Sequence, residues 1–263
     1  METKQHPRVA VITGAAQGIG RRTAELFAEA GYALALLDVR PCTETLLALT
    51  ELGSDAIEVV GDLSDEHVVT RCVRSVQERW GRVDVLVNNA GISAIAPAES
   101  TDSNRFRRVL EVNLLAPFLL SKGFGIEMLK QGAGSIVNVA SIAGLVGISD
   151  RVAYNASKHG LMGMTRTLAA EWGGRGVRCN AVCPGWVKTE MDAADQASSG
   201  AYTDNDIIDR VPMGRFAMPQ DVAQAILFLS DPAQSGFVNG HALVVDGGWT
   251  ADGSWQSLRL QHR

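Results

Sequence analysis

The chain has 263 residues, 46% of them apolar and 20% charged, the composition of a soluble globular protein with a sizeable core. A net charge of −5 argues against nucleic acid as a partner, because such binding rests on clustered Lys and Arg. No apolar run reaches the ~20 residues needed to span a membrane, and Met1–Pro7 lacks the basic-then-apolar order of a signal peptide, so the expected location is cytoplasmic.

Val9–Thr13 reads as a short buried strand. It runs into Thr13-Gly14-Ala15-Ala16-Gln17-Gly18-Ile19-Gly20, a Gly-x-x-x-Gly-x-Gly turn that leads to a helix over Arg21–Ala30. Small residues there let the backbone approach a pyrophosphate, which would meet free N–H groups and the positive end of the helix dipole. Gly14, Gln17, Gly18, Ile19 and Gly20 are therefore candidate cofactor-binding residues.

A second strand, Ala33–Asp38, ends on an acid eighteen residues beyond Gly20. An acid there suits an adenosine ribose diol and repels a 2′-phosphate. Val39 and Gln17 offer a phosphate no charge, Arg40 is the one cation nearby, and the balance predicts NAD over NADP.

After a helix over Glu44–Leu52 and a strand over Ala56–Val60 comes Gly61-Asp62-Leu63-Ser64-Asp65. Asp62 and Leu63 are placed to meet an adenine, while Ser64 or Asp65 could cap the helix Glu66–Trp80. The fourth strand, Val83–Asn88, leads to Asn89, Ala90 and Gly91, where small residues again permit close approach. The asparagines Asn88 and Asn89 serve equally well as braces between strands. A long helix is expected over Asn104–Leu129, then a strand over Ser135–Ala140 with Ser141 behind it, then a helix over Val152–Trp172.

That last helix carries Tyr154 and Lys158 four residues apart, on one face. A tyrosine, with an ordinary pKa of ~10, becomes an acid/base near neutrality if an ammonium stabilises its phenolate. Roughly three units of lowering require about 4 kcal/mol, which one close lysine and a cationic nicotinamide ring could supply. His159 lies one position off this face and reads as exposed or packing.

The sixth strand, Val177–Cys183, puts Cys179 and Cys183 on the same face. With Cys42 and Cys72 isolated and no further ligands in sequence, all four read as buried thiols, and no metal is expected. Thr189–Met218, rich in Asp, Ala, Ser and Gly, has weak helical character and sits where a lid would sit; a plain surface loop is the competing reading. A helix over Gln220–Leu229 and a strand over Ala242–Val245 complete the pattern, and Asp252–Arg263 forms a polar tail.

Strands apolar on both faces and separated by helices imply an α/β fold: a Rossmann-like, doubly wound parallel sheet of about seven strands with helices on both faces. No linker divides the chain, so residues 1–251 are expected to form a single dinucleotide-binding and catalytic domain, with 189–218 as a substrate lid and 252–263 as a tail. Ligands would bind at the carboxyl ends of the strands.

Taken in order, Thr13–Gly20, Asn88–Gly91, Asn113, Ser141, Tyr154 with Lys158, and Pro184-Gly185 with Thr189 resemble the short-chain dehydrogenase/reductase family over about Val9–Gly248. The resemblance implies a catalytic set of Asn113, Ser141, Tyr154 and Lys158. Tyr154 would exchange a proton with the substrate oxygen and Ser141 would orient that oxygen. Lys158 would hold the nicotinamide ribose and depress the tyrosine pKa, and Asn113 would support a water linking Lys158 to solvent. Pro184, Gly185, Val187 and Thr189 would contact the nicotinamide carboxamide.

Pocket residues are expected from Ser93–Ala96, Ala143–Arg151, Trp186 and the lid. Leu145, Val146, Ile148 and Trp186 would form an apolar wall, and Asp150, Arg151 and Asp192 would serve polar substrates. The run Val244-Val245-Asp246-Gly247-Gly248-Trp249 resembles 3-oxoacyl-[acyl-carrier-protein] reductases and implies a homotetramer. Those reductases usually prefer NADP. Asp38 instead favours an NAD-dependent oxidoreductase interconverting a secondary alcohol (a polyol, sugar or cyclic alcohol) and its ketone, with acyl reduction as the alternative. A non-catalytic dinucleotide sensor would be expected to lack Tyr154 or Lys158, and both are present.

Overall fold

A computed structural model describes residues 7–199 and 202–254. Seven strands form one parallel sheet in the order β3-β2-β1-β4-β5-β6-β7. They are β1 (Val9–Thr13), β2 (Ala33–Asp38), β3 (Ala56–Val60), β4 (Val85–Asn88), β5 (Gly134–Val139), β6 (Val177–Pro184) and β7 (Ala242–Val245). Each lies within two residues of the expected span.

Both faces are covered, and strand alternation assigns the residues to them. Val9 and Val11 of β1 point into one apolar layer while Ala10 and Ile12 point into the other. The first layer is closed by α3 (Glu66–Trp80), α5 (Ala116–Gln131) and the end of α6 (Val152–Trp172), through Val69, Phe124 and Leu168. The second is closed by α1 (Gly18–Glu29), α2 (Thr43–Glu51) and α9 (Pro219–Ser230), through Phe27, Leu49 and Ile226. The order in which strands are added reverses between β1 and β4, which run parallel, and this opens a crevice at their carboxyl ends.

The expected single helix over Asn104–Leu129 is broken. It comprises α4 (Ser103–Leu110), a π turn over Glu111–Leu115, and α5. Pro117, in the first turn of α5, has no N–H for the Asn113 carbonyl and crowds it, so the ladder widens and the Ala116 N–H bonds to the Glu111 carbonyl. By length and composition the stretch Ser103–Gln131 could cross a membrane, yet half of its apolar 18-residue window is buried inside the fold.

The segment 189–218 is more ordered than its composition suggests. It holds α7 (Glu190–Ser199) and α8 (Asp204–Arg210). Thr203 and Asp206 form a reciprocal capping box at the start of α8, a local signal that the sequence does carry. Its two ends are stitched together: the Lys188 N–H donates to the Ala217 carbonyl (3.0 Å) and the Ala217 N–H to the Trp186 carbonyl (2.9 Å). A short α10 (Pro232–Ser235) was not foreseen. All four cysteines are buried free thiols, and Cys179 and Cys183 both face α6. Of the tail, Trp255, Leu258 and Leu260 lie outside the described residues.

Candidate active site

A cavity of about 470 Å³ occupies the crevice and extends under the 189–218 segment. At one end Gly14 and Gly18 adopt left-handed backbone (φ 66° and 55°), which favours glycine. The Gly14 N–H donates to the Leu37 carbonyl at 2.7 Å, so β2 holds the turn. No side chain caps the N-terminus of α1 and its first turn carries no acid, leaving its N–H groups for an anion. Gln17, Gly18 and Ile19 line the cavity. Gly20 does not; it is buried against the turn, where an added Cβ would overlap the Gly14 carbonyl oxygen.

Asp38 is buried at the rim, and its carboxylate accepts from the Ala16 and Arg40 N–H groups, both at 3.0 Å. The Arg40 Nε stands 3.9 Å away. Asp62 and Leu63 also line the cavity, but Asp62 is bound to Arg108 of α4 and to Ser64. Asp65, rather than Ser64, caps α3. Both readings of the asparagines hold in part. Asn88 bridges to Asn138 and Ser121, and the Asn89 amide donates to the Thr13 and Gly14 carbonyls, so the side chains brace. Asn89, Ala90 and Gly91 meanwhile line the cavity.

At the other end Ser141, Tyr154 and Lys158 converge from the end of β5 and the face of α6. Ser141 hydrogen-bonds the Tyr154 phenol and accepts from the Ala143 N–H at 3.1 Å. Lys158 is buried, donates to the Val139 carbonyl at 2.8 Å, and lies 5.5 Å from the centre of the Tyr154 ring. Asn113 does not line the cavity. It sits on the π turn, clasps Ile92 through both backbone groups (2.8 and 2.9 Å) and donates to Ser157 of α6 at 3.2 Å. The bare Cα of Gly91 faces both Asn113 and Lys158; an added Cβ would come 3.4 Å from the Asn113 Oδ1 and 3.7 Å from the Lys158 Nζ.

Burial raises the Tyr154 pKa, opposed by the Ser141 hydrogen bond and the Arg151 charge rather than by Lys158. Burial also pushes Lys158 down to about 8. The phenol is thus held protonated near neutrality, as a proton donor to a carbonyl must be.

Pro184 ends β6, and Gly185, Val187 and Thr189 follow it along the cavity wall, with Trp186 against Tyr202, ring centres 5.0 Å apart. Ile148, Arg151 and Asp192, expected among the pocket residues, line the same cavity. Leu145 packs into the core instead, and Val146 and Asp150 are exposed away from the cavity. His159 is exposed and bonds the Asn155 carbonyl. Arg108, Ser157, Asp195 and Tyr202 were missed. Only Ser157 had a local signal, one residue before Lys158; the others arrive from distant elements. The cradle of bare glycines, uncapped helix and rim carboxylate fits a dinucleotide.

The family described as Enoyl-(Acyl carrier protein) reductase matches residues 14–250. A D-threitol dehydrogenase of Mycolicibacterium smegmatis is 40% identical over 246 residues, covering 92% of this chain and 93% of its own. A cis-4-hydroxycyclohexanecarboxylate dehydrogenase of Sinomonas cyclohexanicum is 42% identical, covering 93% and 97%. A crystal structure from Beutenbergia cavernae, provisionally described as an NAD(P)-dependent gluconate 5-dehydrogenase with NADP bound at low occupancy, superimposes with a TM-score of 0.86. It is 43% identical and covers 93% of this chain and 97% of its own.

Proposed function

The chain belongs to the short-chain dehydrogenase/reductase family, and as an oxidoreductase of that family, we propose, it interconverts a secondary alcohol and its ketone with NAD. The observation that carries this is one cavity with Asp38 at one end and the Ser141–Tyr154 hydrogen bond at the other. A bound nicotinamide supplies hydride acceptance and donation. The chain's own residues manage the oxygen. Ser141 orients it, and Tyr154 gives it a proton in reduction and takes that proton in oxidation. Lys158 holds positive charge beneath the phenol and binds the ribose hydroxyls, while Asn113 fixes α6 through Ser157. Residues 189–218 act as the substrate lid of one catalytic unit, working in the cytoplasm, where buried free thiols persist.

Nicotinamide absorbance tests the reading, with NAD and NADP each offered polyols, sugars, cyclic alcohols and 3-hydroxyacyl thioesters. NAD reduction by a non-acyl alcohol supports it. Turnover of thioesters alone, with NADP, would replace it with acyl reduction.

The cofactor choice rests on Asp38. Asp38→Ala is expected to weaken NAD and improve NADP, shifting the ratio of kcat/KM values by about tenfold or more, as loss of a charged hydrogen bond and a repulsion implies. A wild type that already prefers NADP would defeat the assignment. A homotetramer is part of the same reading, supported by Leu115, Phe118 and Ile126 exposed around α5 and by Phe237 and Val244 near the edge strand β7. Light scattering should give about four times the 28.0 kDa chain mass; a monomer mass at assay concentration would reject it.

A further inference from the structure

The substrate end of the cavity carries charges that the proton transfer does not use. Arg151, one turn before Tyr154, is only 8% exposed. Its Nη1 donates to the Ser93 hydroxyl at 2.9 Å and to the Asp195 Oδ2 at 2.7 Å. Its guanidinium lies 5.5 Å from the centre of the Trp186 ring, with the Tyr202 hydroxyl 3.5 Å from Nη2. Asp195 comes from α7, so the pair joins the lid to the catalytic helix.

Beside it Asp192 is 7% exposed, and its Oδ1 is buried without a hydrogen bond. Its Oδ2 receives Gln196 at 3.4 Å, with the Lys188 Nζ 3.8 Å away. The other cations lining the cavity are committed elsewhere. Arg40 and Arg108 pair with Asp38 and Asp62 at the far end, and Lys158 is held by the Val139 carbonyl.

A carboxylate on the substrate would need a guanidinium free to receive it. Arg151 is already neutralised by Asp195, and Asp192 adds a second negative group within the same desolvated wall, because its neighbour Lys188 is held by both carboxylate oxygens of Asp204 at 2.8 and 2.7 Å. An entering anion therefore meets net repulsion, and exclusion of this kind sets specificity as much as attraction does. Hydroxyl groups meet no such conflict. They can donate to a carboxylate and accept from the remaining guanidinium N–H groups, of which arginine has five.

We infer that the substrate is a neutral polyhydroxylated alcohol, and that the Arg151–Asp195 pair together with Asp192 excludes hydroxy-carboxylates from the cavity. This rests on the alcohol-oxidoreductase reading above and adds the charge class of the substrate.

The test uses the full chain, NAD, and matched alditols and aldonates of the same stereochemistry: threitol with threonate, D-glucitol with D-gluconate, galactitol with D-galactonate. The neutral member should have the higher kcat/KM by roughly tenfold or more, expressed mainly in KM. Asp195→Asn leaves Arg151 unpaired and should shift the ratio toward the aldonate by about tenfold, with the aldonate KM falling. Its NADH affinity, read by fluorescence, should be unchanged, and Asp195→Glu should restore the neutral preference.

A wild type that prefers aldonates would overturn the inference while leaving the alcohol reading intact. So would an unchanged ratio in Asp195→Asn with NADH binding retained. Should that variant not fold, Asp192→Asn decides: it should raise the alditol KM and narrow the discrimination, and unchanged values for both partners would overturn the inference. Turnover of 3-hydroxyacyl thioesters alone would instead remove the reading on which it rests.

Discussion

Tyr154→Phe is expected to lower kcat by about 10²–10⁴-fold, the usual contribution of a positioned general acid or base. The ring would stay on the face of α6 above Lys158, and only the hydroxyl that meets Ser141 would be lost. NADH affinity, measured by fluorescence, should therefore hold within a few-fold. The pH profile carries a second signature. Burial holds the phenol above its ordinary pKa in the free protein, so reduction should keep its donor through neutrality and lose it only at high pH. Oxidation needs the phenolate and should strengthen as pH rises. In Tyr154→Phe both slopes should vanish. Near-normal turnover in this variant would end the acid/base assignment.

Gly20→Ala should produce the second large effect, by a steric route. The new methyl would overlap the Gly14 carbonyl oxygen and lie 2.6 Å from the Asn89 amide nitrogen. Both belong to rigid structure: Gly14 hangs from β2, and Asn89 is pinned to Thr13. Overpacking at such a point costs about 1–3 kcal/mol. At this chain length each kcal/mol lowers Tm by about 2–4 °C. Opening the turn also spoils the N–H array at the start of α1, so dinucleotide affinity should fall by at least about tenfold, the equivalent of one lost charged hydrogen bond. A variant with wild-type Tm and wild-type NADH affinity would show that the turn does not need its third glycine.

The strands were legible because a parallel sheet covered on both faces demands continuous apolar runs, as in Val9–Ile12 and Leu34–Leu37. The glycine turn and the Tyr154–Lys158 pair were legible because their meaning lies in local spacing. The π turn had a readable cause in Pro117, but amphipathic periodicity continues across it and hid the break. Arg108 on Asp62 and Asp195 on Arg151 are separated by 46 and 44 residues, and no local pattern records such pairings. The causes of the Tyr154 shift in the free chain were not legible for a related reason. Sequence spacing showed the lysine near the tyrosine, whereas the balance there is set by burial, opposed by the Ser141 hydrogen bond and the Arg151 charge.

The stitch between Trp186–Lys188 and Ala217 closes 189–218 into a loop whose base is fixed independently of what the loop contains. Closure entropy grows slowly with length, about 0.6 kcal/mol for each doubling. Provided a carboxylate is kept opposite Arg151, where Asp195 now stands, helices α7 and α8 can thus lengthen, shorten or change sequence with little penalty to the sheet or the glycine turn. Descendants of this scaffold can acquire new appetites by trading one cassette, and keep their engine.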